Sequence, residues 1–154
     1  MVVGSHQTGL RGITISPDGE GFKAEPVWKN IEAQPNITHG VRVGGHYYGI
    51  GDPAKLVCVD IASGKTAWSD NSLFFPDPKR AMAAFIVMDK NILSLSSGGE
   101  LCLFEASPTE FNELGRTQVC GINWCMPAYV DGRLFVRDGI KKKGGNLICL
   151  DLTD

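Results

Sequence analysis

Apolar and polar positions along this 154-residue chain either alternate or gather into short runs separated by turn residues. Both patterns are those of short β-strands, and the 3.6-residue spacing of an amphipathic helix is nearly absent. Only Pro108 to Leu114 is composed for a single helical turn. The turns are explicit: Pro17-Asp18-Gly19, Gly44-Gly45, Asp52-Pro53, Ala62-Ser63-Gly64-Lys65, Met88-Asp89-Lys90-Asn91, Ser97-Gly98-Gly99 and Asp131-Gly132. Asp-Gly and Asn-containing pairs tolerate the positive φ that tight hairpins need. Between them the pattern predicts strands near 2–5, 12–15 and 22–28, then 38–43, 47–50, 56–61 and 65–68. It continues with 84–88, 92–96, 101–106 and 113–119, and ends with 126–130, 133–137 and 147–152.

One strand recurs. Leu56-Val57-Cys58-Val59-Asp60, Leu101-Cys102-Leu103-Phe104-Glu105 and Leu147-Ile148-Cys149-Leu150-Asp151 each combine an apolar run, a cysteine and a final carboxylate, and they start 45 and 46 residues apart. A period of about 40–50 residues built from short apolar runs is that of a β-propeller, with one four-stranded antiparallel sheet per blade. The expected fold class is therefore all-β, an incomplete propeller ring within one chain, because closed soluble rings have about 4–8 blades. The expected domain is a single partial propeller over 1–154. It has an incomplete blade over 1–30, full blades over 37–70 and 81–119, and an incomplete blade over 124–154. The first unit lacks its first strand and the last its fourth. Open strand edges are normally covered, so the expected partner is another protein or a second copy of the chain, joined through those edges. Two copies would bring about eight blade equivalents, a permitted ring size.

Composition agrees with a folded β-protein. Hydrophobic residues make up 43% and charged residues 21%, and Gly 19 with Pro 8 suit a chain of many turns. The net charge of −2 offers no basic excess for nucleic acid, and no nucleic-acid partner is expected. The one basic cluster, Arg137 with Lys141-Lys142-Lys143, is flanked by glycines and reads as a solvated hairpin tip. No run approaches the roughly 20 apolar residues of a membrane helix. The first ten residues, MVVGSHQTGL, lack the layout of a signal peptide. Asn36-Ile37-Thr38 is a formal glycosylation sequon.

Asp60-Ile61-Ala62-Ser63-Gly64-Lys65-Thr66-Ala67-Trp68 resembles the repeat of the pyrroloquinoline-quinone (PQQ) propeller superfamily. That repeat reads roughly as a Leu-x-x-x-Asp strand followed by Thr-Gly-Lys-x-x-Trp, and here Ser63 stands in place of the Thr. In physical terms Asp60 caps the turn, Gly64 supplies the tight backbone before Lys65, and Trp68 reaches across to the neighbouring blade. A flat indole with one N–H donor suits a seam between blades. Val27-Trp28 brings a second docking tryptophan, so the repeat motif comprises Asp60, Gly64, Lys65, Trp68 and Trp28, with Leu114 at about the same place in the third unit. Gly98-Gly99-Glu100-Leu101 and the run from Tyr129 to Arg137 also resemble blades of this superfamily. A kelch repeat is imitated once, by Gly44-Gly45-His46-Tyr47-Tyr48 with Trp68, but the doublet does not recur in the same place. The superfamily includes quinone-dependent dehydrogenases and outer-membrane assembly scaffolds, so the resemblance implies an extracytoplasmic location.

A quinone dehydrogenase of that superfamily would need a full ring, PQQ over its channel, a Ca²⁺ held by carboxylate and amide oxygens, and an Asp base. Such enzymes often carry a disulfide between adjacent cysteines. This chain has no Cys-Cys pair, and no Glu-Asn-Asp set stands out by spacing. No catalytic, cofactor-binding or metal-binding residue is therefore assigned. PQQ and Ca²⁺ belong only to the alternative in which the chain is the C-terminal part of a quinone-dependent alcohol or sugar dehydrogenase. Cys58, Cys102 and Cys149 read as small apolar residues of packed strands. Cys120 and Cys125 form the one local pair, either two thiols or a disulfide suited to an oxidising compartment. No CxxC or zinc-type spacing exists, and His6, His39 and His46 are scattered. Glu105 and Asp151 echo Asp60 as strand-end residues. Ser97-Gly98-Gly99 lacks the strand–loop–helix context of a phosphate cradle. The expected role is a non-catalytic scaffold presenting loops and a blade face to other proteins. A second alternative is a structural module completed by self-association.

Overall fold

A computed structural model of the chain describes residues 1–35, 38–51, 53–73, 75–139 and 144–153. The sequon's Asn36 and Ile37, the turn residue Asp52 and the basic run Lys141–Lys143 lie outside the described residues. Short strands follow one another as β1 (Val2–Ser5), β2 (Gly9–Asp18), β3 (Gly21–Asn30), β4 (Val41–Val43), β5 (His46–Gly51), β6 (Lys55–Asp60) and β7 (Thr66–Asp70). They continue as β8 (Ala83–Met88), β9 (Asn91–Ser96), β10 (Glu100–Glu105), β11 (Glu113–Gln118), β12 (Ala128–Val130), β13 (Arg133–Arg137) and β14 (Leu147–Asp151). Among the described residues they form antiparallel meanders in the orders β1-β2-β3, β4-β5-β6-β7, β8-β9-β10-β11 and β12-β13-β14, and none closes on itself. The chain is thus all-β and built of open blades.

Several local expectations differ from the structure. Pro108–Leu114 forms no helix. Phe111 is drawn against Phe104 and Trp68, with ring centroids 5.4 and 6.1 Å apart, and the Asn112 carbonyl accepts from Glu105 N at 3.0 Å. Those anchors hold the segment as a loop. The helical turn among the described residues is instead a 3-10 turn at Pro78–Arg80, where the Asp77 side chain accepts from Lys79 N at 3.0 Å. The second difference is the first hairpin, whose strands run ten residues each, well beyond 12–15 and 22–28.

A shared bulge aligns the sheets. The register slips between Gly12 and Ile13 where β2 meets β3, between Cys58 and Val59 where β6 meets β7, and between Leu103 and Phe104 where β10 meets β11. Gly12, Cys58 and Leu103 are therefore equivalent, and opposite them lie Trp28, Trp68 and Gly115. Gly115, not Leu114, holds the tryptophan's place in the third sheet. Leu114 is the bulged residue beside it. The alignment also makes β3 an outermost strand like β7 and β11. The innermost strand, which is β4, β8 or β12 elsewhere, has no counterpart in the first sheet.

Alternation along each strand sends successive side chains to opposite faces. From β6, Leu56 and Cys58 pack towards the third sheet with Phe85, Cys102 and Phe104, while Val57 and Val59 pack towards the first with Leu10. From the third sheet Leu93, Leu95 and Leu101 point onward to Leu134 and Val136 of the fourth. Each fully buried aliphatic side chain stabilises the stack by about 1.5–3 kcal/mol relative to exposure. Cys58 and Cys102 are buried, as expected, but Cys149 is exposed. It sits opposite Phe135 as Cys58 sits opposite Tyr48, on the onward face of a sheet that no described sheet follows.

Candidate interaction surface

The seam between the first and second sheets is built on the Asp60–Trp68 turn. Asp60 Oδ1 accepts from Ser63 N at 2.7 Å and from Ser63 Oγ at 2.6 Å. These two bonds hold its carboxyl below the ordinary range, helped by His46, whose Nε2 is 3.8 Å from Oδ2. Asp60 N donates to Lys65 O at 2.9 Å and closes the turn. Gly64 has φ +73°, and a Cβ there would meet Trp28 Cδ2 at 2.4 Å. The Trp28 indole lies on that glycine and its Nε1 donates to Ile61 O at 2.8 Å. Trp68 repeats the move one sheet on, donating from Nε1 to Ser107 O at 2.9 Å while its ring leans on Tyr48 and Phe111. Gly64, Trp28 and Trp68 thus lie at sheet-to-sheet seams, while Asp60 closes the turn and Lys65 enters it through its carbonyl with an exposed side chain.

Several partners at these seams carry no local sequence signal. Asn30 is buried, and its Nδ2 donates to Gly64 O at 2.8 Å and Thr66 Oγ1 at 2.9 Å, while its Oδ1 accepts from Glu32 N and Ala33 N. Asn123 is buried between Cys120 and Cys125, and its Nδ2 donates to Ser96 O at 3.0 Å. Arg116 binds Glu113 Oε2 at 2.6 Å, Glu100 Oε1 at 2.8 Å and Ser72 O at 2.6 Å, which keeps the Glu113 carboxyl below its usual range. Burial pushes the Cys58 and Cys102 thiols up to about 11. Cys120 and Cys125 are free thiols. Asp151 echoes Asp60 in a turn one residue shorter, accepting from Thr153 N at 3.0 Å, and Glu105 accepts from Asn112 Nδ2 at 2.6 Å.

The open parts of the molecule are its two ends. In the first sheet, the free edge of β1 and the start of the second sheet enclose a cleft of about 370 Å³ lined by Val2, Gly4, Leu10, Val41, Arg42 and Tyr47. It lies where the other sheets carry an innermost strand. In the last sheet, Leu147 takes the place of Leu56 and Leu101 yet is 75% exposed, beside exposed Cys149. On the same face Arg137 stands where β5 and β9 place Ile50 and Leu95, and Arg133 where they place His46 and Asn91. No group of three or more His, Cys, Asp or Glu residues placed to hold a metal ion exists among the described residues. No described helix is long and apolar enough to cross a membrane.

No protein-family model matches the chain, and no curated protein matches it. Among solved structures it is similar to BamB from Moraxella catarrhalis, a β-propeller protein, at 17% identity and a TM-score of 0.55 over 87% of this chain and 42% of that one. A superposition on the computationally designed Ika8 protein reaches a TM-score of 0.34 at 9% identity, over 87% of this chain and 63% of that one, and carries no argument. The chain spans less than half the length of the BamB chain it matches. The likeness concerns fold: these are propeller-like blades in an open arrangement.

Proposed function

We propose that this chain is a non-catalytic PQQ-like propeller segment serving as a protein-interaction scaffold, with neither PQQ nor Ca²⁺ in its working form. The observation that carries the reading is the onward face of the last sheet. Leu147 there occupies a place that both inner sheets bury, and Cys149 one that the second sheet buries and the third half-buries, so the face has the layout of a blade seam. Contiguous open apolar positions mark contact surfaces, and Phe135, Leu147 and Cys149 share this face. Fold alone does not assign a role to such an architecture. The BamB likeness supports the propeller part of this reading.

A separate protein is favoured over a second copy by charge. A head-to-tail ring of two chains would set Arg133 and Arg137 of the last sheet, with only Asp151 beside them as counter-charge, against Arg11 and Lys29, a cross-strand pair on the outer face of the first. Light scattering on a sizing column tests this, with a monomer expected at low salt. A stable two-copy assembly would favour a self-completed ring. Turnover of an alcohol or sugar with added PQQ, Ca²⁺ and an artificial electron acceptor would replace the scaffold reading by the enzyme one.

A further inference from the structure

The first hairpin outgrows its blade. The common bulge makes Thr14 of β2 the equivalent of Asp60, where β6 ends. β2 nevertheless continues to Asp18, and β3 begins at Gly21. Ten residues span about 33 Å, against about 20 Å for the six-residue strands of the inner sheets. The register pairs Ile13 with Pro26, Ile15 with Ala24 and Pro17 with Phe22, while Thr14, Ser16 and Asp18 pair with Glu25, Lys23 and Gly21. One face of the ribbon is therefore apolar through three successive pairs. The other is polar and carries a Lys23–Glu25 ion pair at 2.7 Å. Phe22 is 79% and Ile15 48% exposed.

Blade stacking does not account for this strip. Leu10 packs towards the second sheet, so Arg11, Ile13, Ile15 and Pro17, which alternate with it, face the opposite way. On the stacked side, the second sheet buries Leu10, Gly12 and Asn30 but leaves Thr14 and Glu25 exposed. A blade of the same size on the other side would likewise stop short of Ile15 and Phe22. In line with the strip lie Arg11 and Lys29, direct cross-strand neighbours. Neither has an ion-pair partner among the described residues.

We propose that the strip docks a protein segment in which a row of apolar side chains leads into carboxylates. The apolar row lies along Ile15, Pro17, Phe22 and Ala24, and the carboxylates meet Arg11 and Lys29. The inference rests on the scaffold reading and gives it a surface and a partner chemistry. Charge complementarity carries the choice, since two adjoining cations without counter-charge flank an apolar track. A lipid surface fits less well because Asp18 and Glu20 flank the tip that would enter it. A two-copy interface needs about 20–30 residues a side, far more than the six apolar side chains of this ribbon, whereas an extended segment needs only a short track.

The test is a titration of the ¹⁵N-labelled chain with a synthetic peptide of three Val-Thr repeats followed by three aspartates. The expected result is saturable amide shifts at Arg11, Ile15, Phe22, Ala24 and Lys29. Affinity should fall about tenfold in Phe22→Ser, in Arg11→Gln/Lys29→Gln, and when the peptide's aspartates are replaced by lysines. Phe22 is exposed, so unchanged signals from Leu56 and Phe104 will show the variant folded. Absence of hairpin shifts, or equal binding of the lysine peptide, overturns the proposal. Shifts confined to Leu147 and Cys149 overturn it while leaving the scaffold reading standing. Pelleting with phosphatidylserine vesicles that Phe22→Ser abolishes would assign the strip to lipid instead. A mass increase that the same variant abolishes would assign it to a second copy.

Discussion

Gly64 combines two demands at one atom. Its φ of +73° excludes most side chains, and the Trp28 ring occupies the space a Cβ would fill. The left-handed backbone alone costs an L-residue roughly 1–2 kcal/mol. Displacing the indole endangers the bond to Ile61 O, worth about 1 kcal/mol. Gly64→Ala should therefore lower stability to urea by roughly 2–3 kcal/mol, with altered tryptophan emission. Gly19→Ala, at φ +59° with nothing within 4 Å, should cost only the backbone part. The cysteines supply a second check. Cys149 should react with a disulfide reagent in the native state, whereas Cys58 and Cys102, buried with raised thiols, should wait for unfolding. Equal rates for Cys58 and Cys149 would contradict the placement of the open face. At this scale the turn was legible because Asp60, Ser63 and Gly64 act on one another locally. Asn30 and Phe111 were not legible, because their partners lie far along the chain: Asn30 reaches Gly64 and Thr66, and Phe111 reaches Trp68.

Most strands could be placed from alternation and turns, and the departures have local causes. The pattern ended the second strand at residue 15 because Pro17-Asp18-Gly19 reads as a turn, and a proline is out of place in a central strand. Yet β1 pairs with β2 only from Gly9 to Gly12. Beyond Ile13 one edge of β2 is open, and a proline there forfeits no ladder bond. The innermost β4 and β12 are only three residues long, too short for alternation to define their ends. The outer hairpin of the third sheet is fastened by Arg116, which ties Glu113 of its own strand to Glu100 of β10 and to Ser72. Glu113 has its folded pKa depressed, first by the Arg116 hydrogen bond. A depressed carboxylate stabilises the fold above its unfolded pKa of about 4.3, and that contribution is lost as pH falls through the lower folded value. Asp60 and Asp151 are shifted in the same direction by their turn partners. The thermal midpoint should therefore hold from pH 7 to about pH 5 and fall below about pH 4. Arg116→Gln should start lower and lose less on acidification. A steeper acid loss in that variant would remove Glu113 from the account.

At the scale of the whole molecule, the repeat period announced blades, but period says nothing about how an arc is closed. That question turns on which residues face outward at the two ends, and those faces emerge only when the bulges align the sheets. The onward face of the last sheet carries Arg133, Arg137 and the carboxylate of Asp151 opposite Arg133, a net positive set, and the outer face of the first carries Arg11 and Lys29. A seam between them would bury like charges, and like-charge juxtaposition opposes wrong partners at a cost of several kcal/mol. Apolar Phe135, Leu147 and Ile13 lie on the same two faces, so the steric plan of a seam is present and its electrostatics oppose it. Reversing one side should therefore turn repulsion into attraction. Arg133→Glu/Arg137→Glu should associate head to tail at low salt, and the association should weaken as salt shortens the Debye length from about 10 Å at 0.1 M to about 3 Å at 1 M. The unmodified chain should show the opposite trend, with any association appearing only at high salt. Light scattering across both salt conditions separates the outcomes. If the reversed variant stays monomeric at low salt, charge is not what keeps the ends apart, and the seam fails on shape.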